Sequence, residues 1–563
     1  MKNITLSSIV IIGILLLFLA ASGCITTQDD PKLEPVSEEY YAEMDAALYP
    51  YMQSVDEQMK DITASVWNAA RELDGVPKKG QAVNLALLKL KSEIPLAYDV
   101  ERIDEHNILT AIAGELNTSL QVGDEIITNQ YTEEDFRAAG SQCIVSTHTE
   151  FQTGNQGIKV SAPIYDAEGN FDGTLQVILD GTYLFSGPAE ELRTTYGYTV
   201  WVAQENGVVI YDEDAYEIGS NLLEPNAAYT PSFMAAANDI LENESGHTSY
   251  IFYTIDWHKI SQTNAVWSTL VPGYGPTWRV ILIDNVPPRH ELIEPSVTPE
   301  ELKAFVMNAY VYAQTKGKTA ALAAFNDPNG EFIDGELYIF AFETDGTILG
   351  LPYQPVLIGT NSWFAEDPSG VKYVQRMIAR AQQGGGYVLY LAPNPSAGYS
   401  TELKLSYVIP IDNQWFIGAG LYEHTAPISH TVSVDWQTRN ELIKQVRTMR
   451  YLAGVEGIPA VTEMIMDPTS SFQREGLYPF AITGNGTILA FANNPAIVGT
   501  NQLGTLNSYG MSFAREGISL GKSGGGLMYT LAWDSGKQKE VFVLDYVEPA
   551  GNDTYFASYM ILE

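Results

Sequence analysis

A sixteen-residue segment of this sequence occurs twice, 140 positions apart. Residues 346–361 read GTILGLPYQPVLIGTN and residues 486–501 read GTILAFANNPAIVGTN, with eight identical positions. The correspondence continues through most of 299–423 and 440–563, where DP, LY and GGG recur in the same order. Solenoid units recur every 20 to about 50 residues, so a repeat of this length is a whole domain. The chain therefore contains a duplicated domain.

A shorter version of the segment lies nearer the N-terminus. Residues 206–221 contain NGVVI and EIGSN, with the two glycines 12 positions apart instead of 13. Strand-forming sequence surrounds it in YTVWVAQENGVVIYDEDAYEIGSN (198–221), and GIKVSAPIYDAEGNFDGTLQVILD (157–180) has two apolar runs around a similar turn. The sequence therefore predicts strand–turn–strand elements in the N-terminal half as well.

Each duplicated unit combines a leading helix with five strands. Thr298, Pro299 and Glu301 form a helix start with an N-cap, a proline at the first helical position and a capping-box acid. The predicted strands are GELYIFAFE, TILGLP, YVLYLAP, KLSYVIPI and QWFIGAGLYE, with the helix VKYVQRMIARAQQ after the second. This order predicts an antiparallel α+β domain with covering helices.

The N-terminus predicts export. Lys2 precedes an apolar run over 9–21, and the small residues ASG lead into Cys24. We therefore predict a signal peptide over 1–23 with a lipobox-like end, lipidation of Cys24 and a polar tether over 25–38; an uncleaved anchor is the alternative. Either outcome places the remaining chain on the extracellular face of the cell membrane, held there by its N-terminus.

The charge balance excludes nucleic-acid partners. Formal net charge is −38, from 31 basic and 69 acidic residues, and nucleic-acid binding needs basic patches. Cys143 is the other cysteine besides Cys24, and the seven histidines show no metal-ligand spacing, so no metal and no cofactor are predicted. Four N-x-S/T sequons fit glycosylation of surface loops in an exported protein: Asn117, Asn243, Asn485 and Asn552.

These patterns resemble a known sensory family. The run FNDPNGEFIDGELYIFAFETDGTILGLPYQPVLIGTN, followed by GGGYVLY and KLSYVIPIDNQWFIGAGLYE, is similar to a single Cache domain, the extracellular PAS-like module, over 299–423. The unit 440–563 resembles a degenerate copy. Residues 39–285 resemble a double Cache module with a distal part at about 80–187 and a proximal part at about 190–285. The implied fold class is α+β, as tandem PAS-like domains.

Two family signatures are incomplete in this sequence. In the degenerate copy, an offset of 140 places Ser558 and Met560 where the earlier unit has Gly418 and Gly420. The earlier unit contains the segment GLPYQP, in which Leu351 stands where many relatives place a histidine.

The resemblance implies that small metabolites, carboxylates and amino acids among them, bind between the sheet and its covering helices, without catalysis. Amino-acid-binding double modules carry an arginine, a Trp-Tyr pair and a later aspartate. Arg137 and Asp180 could take the outer positions, although FRAAGSQC (136–143) lacks the Trp-Tyr pair.

Strand alternation narrows the pocket prediction in the unit 299–423. Successive residues face opposite sides of a sheet, and binding pockets combine aromatic walls with a few polar groups. Lys404 is the cation within these strands and a candidate carboxylate partner. An ordinary aromatic core with a surface lysine is the alternative interpretation. The predicted ligand-binding residues here are Tyr338, Phe340, Tyr353, Tyr390, Lys404 and Tyr407.

Three function classes follow from these patterns. The first is an exported, lipid-anchored sensor that binds a small molecule and signals through, or delivers to, a membrane receptor or transporter. The second is an exported structural or adhesive surface protein that uses these domains as spacers. The third is a hydrolase using GISLG (517–521), but that motif needs a strand-to-helix turn and the repeat predicts a helix there. We therefore expect a binding protein and not an enzyme.

Overall fold

The computed structural model describes most of the chain beyond the N-terminal segment. The described residues are 32–114, 120–151, 156–213, 217–223, 230–253, 260–284, 297–334, 337–394, 400–422, 434–534, 537 and 539–562. The predicted signal peptide, Cys24 and Asn117 lie outside them. The helices are α1 Glu38–Glu72, α2 Gln81–Glu93, α3 Glu133–Ala139, α4 Gly181–Tyr196, α5 Pro231–Glu242, α6 Pro299–Lys316, α7 Lys318–Phe325, α8 Tyr373–Gln382, α9 Trp436–Glu456, α10 Ile458–Met466 and α11 Phe513–Lys522.

The strands of the N-terminal half form two sheets. The sheet of the distal domain has the order β2-β1-β6-β5-β3, with β4 also paired to β5, and that of the proximal domain has the order β8-β7-β11-β10-β9. The strands are β1 Ala97–Ile103, β2 Leu109–Ala113, β3 Ile144–Val145, β4 Thr149–Glu150, β5 Gln156–Tyr165, β6 Phe171–Leu179, β7 Thr199–Gln204, β8 Val209–Tyr211, β9 Ser245–Tyr253, β10 Ile260–Leu270 and β11 Trp278–Ile283.

The C-terminal half forms two more sheets in what we call the third and fourth domains. Their orders are β15-β14-β18-β17-β16 and β20-β19-β23-β22-β21, and a short ribbon pairs β12 with β13. The strands are β12 Ile333–Asp334, β13 Leu337–Tyr338, β14 Phe340–Glu343, β15 Ile348–Gly350, β16 Gly386–Asn394, β17 Ser400–Pro410, β18 Trp415–Tyr422, β19 Leu477–Thr483, β20 Ile488–Phe491, β21 Gly526–Asp534, β22 Lys539–Gly551 and β23 Thr554–Ile561. The strand pairs of both sheets are antiparallel, as predicted.

The repeated segment has the same local structure in three domains. Its first glycine has a positive φ, at 88°, 94° and 88° for Gly207, Gly346 and Gly486. The asparagine that ends the segment bridges back to the residue after that glycine in each copy. In the third domain, Asn361 Nδ2 donates to the carbonyl of Asp345 at 2.9 Å and Asn361 Oδ1 accepts from the Trp363 amide at 2.9 Å. The segment therefore recurs because its glycine and asparagine close the same loop.

The two faces of each C-terminal sheet have different partners. The leading helix α6 packs on β17 and β18, and α9 packs on β22 and β23. Leu389 and Leu405 point to the leading-helix face and belong to a buried apolar cluster that runs through all four domains. Phe340 and Tyr390 point to the other face, which α8 covers. This second face is the one that holds the predicted pocket.

The pairing register corrects one sequence alignment. Phe340 pairs with Gly418, and the equivalent Phe480 pairs with Ala557. Ser406 pairs with Gly420, and the equivalent Asp545 pairs with Tyr559. Ala557 and Tyr559, not Ser558 and Met560, therefore replace the two glycines. A one-residue slip between the units changes the offset from 140 to 139 before β22, and a constant offset misses it.

The third and fourth domains pack together through equivalent helices. Arg376 of α8 donates to Glu516 of α11 at 3.0 Å, and Arg380 also pairs with Glu516. Positions 376 and 516 correspond in the repeat, so identical copies would place two like charges here. The divergence to glutamate makes this pairing attractive. Among the helices of the described residues, we find none with the length and apolar character needed to cross a bilayer.

Candidate functional site

A buried lysine lies on the α8-covered face of the third domain. Lys404 is 2% exposed, and strand pairing places it beside Tyr390 on one strand and Tyr422 on the other. Its ammonium group donates to Tyr338 Oη at 3.2 Å and to Tyr422 Oη at 3.4 Å. The same nitrogen lies 4.7 Å and 4.8 Å from the centres of these two rings. The aromatic faces stabilise the buried cation by cation–π attraction.

The walls around this lysine are aromatic, and they join a buried centre to half-buried rings. Tyr353 packs edge-on against Tyr338 at 5.1 Å, and both side chains are half-buried. Tyr390 stacks on Tyr373 at 4.8 Å and shares a 3.0 Å hydrogen bond with Ser406 Oγ. Burial raises the pKa of Tyr390, which keeps this phenol neutral. The arrangement supplies one cation and several neutral hydroxyls, which are suitable partners for an anionic group.

Gly420 makes room for this arrangement. A Cβ atom at this position would lie 2.4 Å from Ser406 Oγ and 2.6 Å from Lys404 Cε. Phe340 is buried on the same face, and its ring end lies 2.6 Å from where a Cβ at Gly418 would stand. The two glycines of β18 therefore allow large side chains from neighbouring strands to lie across it.

The structure corrects the placement of Tyr407. Tyr407 pairs with Tyr387 and belongs to the leading-helix face, where Lys303 lies 5.5 Å from its ring centre. Lys404 and Tyr407 are three positions apart on one strand, and an odd spacing puts side chains on opposite faces. The structure brings together Tyr338, Phe340, Tyr353, Tyr390 and Lys404, and excludes Tyr407.

The two residues carried over from amino-acid-binding relatives have different surroundings. Arg137 is 71% exposed and pairs with Glu133 at 2.7 Å on α3. Asp180 is buried at the N-cap of α4, where it accepts a hydrogen bond from the Thr182 amide at 2.9 Å. The described sequons at Asn243, Asn485 and Asn552 are all exposed.

Sequence reasoning missed three residues of the site: Tyr373, Ser406 and Tyr422. Ser406 and Tyr422 could have been found from Lys404, because Ser406 is two positions along the same strand and Tyr422 is its cross-strand partner. Tyr373 lies at the start of α8, and its stacking on Tyr390 depends on how the helix crosses the sheet.

The equivalent face of the fourth domain is filled by its own side chains. Val543 takes the place of Lys404, opposite Thr530, and Tyr559 takes the place of Gly420. The Tyr559 ring stacks on Tyr478 at 4.9 Å, and its hydroxyl accepts from Asn493 Nδ2 at 3.3 Å. Tyr478 is the counterpart of Tyr338, so Tyr559 occupies the space next to it that the third domain leaves to Lys404.

Comparison with known proteins agrees with this architecture. Residues 306–426 match the family Single Cache domain 2, and residues 57–181 match the family HK/GC/Chemotaxis protein-like, sensor domain. The sensor histidine kinase MctS of Rhizobium johnstonii is 36% identical over 86 residues, which are 15% of this chain and 18% of that protein. The chain thus spans about a fifth of the length of this curated relative.

Parts of the chain are also similar to solved structures. An extracellular ligand binding receptor from Desulfohalobium retbaense is 23% identical and covers 44% of this chain and 41% of its own, with a TM-score of 0.35. A methyl-accepting chemotaxis protein from Vibrio parahaemolyticus is 24% identical and covers 22% of this chain and 86% of its own, with a TM-score of 0.20. Two segments of this chain thus match families of sensor domains: residues 306–426 match a single Cache family, and residues 57–181 match a chemotaxis-type sensor family.

Proposed function

We propose that this protein is an extracytoplasmic sensory lipoprotein whose third domain binds a small carboxylate. The observation that carries the proposal is the buried Lys404 ammonium between the hydroxyls of Tyr338 and Tyr422. A carboxylate at this position would accept charge-assisted hydrogen bonds, which are stronger than neutral ones. The half-buried Tyr353 lies where the aromatic wall approaches the surface.

The Lys404→Met variant tests this assignment. Acetate, lactate and succinate are titrated against the purified full chain by thermal-shift fluorimetry, because a ligand that binds the folded state stabilises it by RT ln(1 + [L]/Kd). We expect a saturable shift with at least one probe, and a loss of affinity of about 10- to 100-fold in Lys404→Met. Met keeps the apolar stem and removes the charge.

Lys318→Met is the matched control, because Lys318 pairs with Glu343 in the same domain, away from the pocket. It should bind the probes as the native chain does. Equal affinity in Lys404→Met and in the control would refute the carboxylate site. No shift with any probe would support the view that the domains are spacers.

The filled pocket of the fourth domain favours a structural role for that unit. Tyr559 occupies its ligand face, and Arg376 and Arg380 of the third domain both pair with Glu516 of the fourth. We infer that the fourth domain supports the third and transmits its state, while the third binds the ligand. A membrane receptor or kinase partner fits the class of the related proteins.

We infer that Cys24 carries the lipid that holds the chain at the membrane. The supporting observation is the apolar run 9–21 followed by ASGC. In cells, Cys24→Ser should release the chain from the membrane fraction or leave the signal peptide uncleaved. Mass spectrometry of the mature N-terminus should identify a diacylglyceryl-cysteine at position 24. An unmodified cysteine there would contradict the inference.

A further inference from the structure

A cavity of about 110 Å³ lies where the distal, third and fourth domains meet. Asp180 lines it from the distal side, Glu366, Lys372 and Arg376 line it from the third domain, and Arg439 and Arg447 line it from the fourth. A neighbouring cavity of about 180 Å³ shares Asp180, Glu366 and Lys372. The Lys404 residue of the third-domain pocket does not line either cavity.

The charged residues that line this cavity are mostly basic, whereas those of the whole chain are mostly acidic. Four of the lining residues are cationic and two are acidic, whereas the whole chain has 31 basic and 69 acidic residues. The guanidinium groups of Arg439 and Arg447 are buried, on side chains that are 4% and 8% exposed as residues. Buried cations are costly unless they are paired, so a local excess of them favours an anion in the same space.

Two acids behind the wall, Glu516 and Glu548, are each shared between two arginines. Glu516 is shared by Arg376 at 3.0 Å and by Arg380. Glu548 is likewise shared by Arg447 at 3.1 Å and Arg450 at 3.0 Å. Each of these carboxylates therefore faces two guanidinium groups, while Lys372 lies 3.8 Å from Glu366 Oε1.

The two lining acids, Asp180 and Glu366, influence each other's ionisation. Burial and the adjacent Asp180 carboxylate raise the pKa of Glu366 well above its usual range. Burial raises the pKa of Asp180 as well, although the charges of Arg439 and Lys372 act in the opposite direction. Tyr98 donates to Glu366 Oε1 at 2.6 Å, while Glu366 Oε2 is buried and has no hydrogen-bond partner among the described residues.

We propose that this cavity is a second ligand site, which binds a small organic anion through a carboxylate held by Lys372, Arg376 and Arg439. The Tyr183 hydroxyl also lines the cavity, is buried and lacks a hydrogen-bond partner among the described residues, so it supplies a further donor. An engineered cavity of about 150 Å³ holds benzene, so this one accommodates about five non-hydrogen atoms. Propionate has this size.

Occupation of the site would hold the two halves of the chain together. Tyr183 belongs to the N-terminal half, whereas Lys372 and Arg439 belong to the third and fourth domains. A ligand that contacts all of them binds the assembled arrangement better than a separated one, and therefore shifts the population toward it.

Calorimetric titration of propionate into the purified full chain tests the proposal. Lys404→Met removes the third-domain pocket and should leave one binding site. Adding Lys372→Met to it should weaken that remaining site about 10- to 100-fold, because one charge-assisted contact is lost. Lys372→Arg should restore binding, and Lys318→Met is the neutral control.

The outcomes separate this site from the third-domain pocket. Loss of all binding in Lys404→Met alone, or unchanged binding when Lys372→Met is added, overturns the second site. If Lys372→Met loses binding and Lys404→Met binds as the native chain does, the second site is supported and the first is refuted. The loss of propionate binding in Lys372→Met counts as support when this variant keeps the native melting profile. Binding of inorganic phosphate or methylammonium in place of propionate overturns the carboxylate assignment.

Discussion

Replacing Gly420 by tyrosine is expected to abolish carboxylate binding by the third domain, with an affinity loss of more than about 100-fold. A side chain at this position meets Lys404 Cε and Ser406 Oγ at 2.6 Å and 2.4 Å already at Cβ. The fourth domain has a tyrosine at the equivalent position, Tyr559, which packs on Tyr478. The tyrosine ring would displace the Lys404 ammonium and fill the space that the ligand needs. Thermal-shift titration of acetate, lactate and succinate measures the effect.

Gly504→Tyr is the control for the substitution itself. Gly504 is exposed, and no atom lies within 4 Å of the place where its Cβ would stand, so it should accept tyrosine without loss of binding. Near-ultraviolet circular dichroism of Gly420→Tyr checks that the third domain remains folded. Native affinity in a folded Gly420→Tyr chain would show that the ligand binds elsewhere.

Replacing Arg447 by methionine is expected to lower the free energy of unfolding by about 3 to 5 kcal/mol. Arg447 is 8% exposed, and its Nε donates to Tyr546 Oη and to Glu548 Oε1, both at 3.1 Å. Its Nη1 donates to the carbonyls of Lys91, Ile94 and Pro95 at the end of α2, at 3.1 to 3.3 Å. Methionine takes one buried donor away from all of these acceptors, although Glu548 keeps its bonds from Tyr546 and Arg450, and this costs more than the loss of an exposed pair. Urea denaturation measures the change.

The exposed pair of Arg474 and Glu441 provides the comparison. Its side chains are 45% and 46% exposed, so Arg474→Met should cost less than about 1 kcal/mol. Equal costs for the two variants would contradict the role assigned to Arg447.

The same ion-pair network predicts a dependence of stability on pH. Burial opposes ionisation of Glu548, but Lys91, Arg450 and Arg447 together hold its pKa well below the usual value of 4.5. The unfolded carboxyl group therefore binds a proton first as the pH falls. Its stabilising contribution is complete above about pH 4.5 and decreases below it. The decrease, followed by urea denaturation at a series of pH values, should be smaller in Arg447→Met.

The ligand face of the third domain shows how far local patterns reach. The pocket prediction grouped Tyr338, Phe340 and Tyr390, and the structure packs all three around one buried cluster. Strand alternation separates Lys404 from Tyr407, which are an odd number of positions apart. Tyr422 belongs to the site because it pairs with Lys404 on the neighbouring strand. The sequence of one strand does not show which residue of the next strand lies opposite.

The sequence by itself determined the duplicated domain, the succession of its strands along the chain and the loop that the repeated glycine and asparagine close, because these depend on local turn geometry and on side-chain alternation. Tertiary structure decided which sheet face a tyrosine of its own domain fills, since the one-residue slip that puts Tyr559 opposite Asp545 is a property of strand pairing. It also decided where the buried charges meet. Asp180, Lys372 and Arg439 are far apart in the chain, and only the packing of three domains brings them to one cavity.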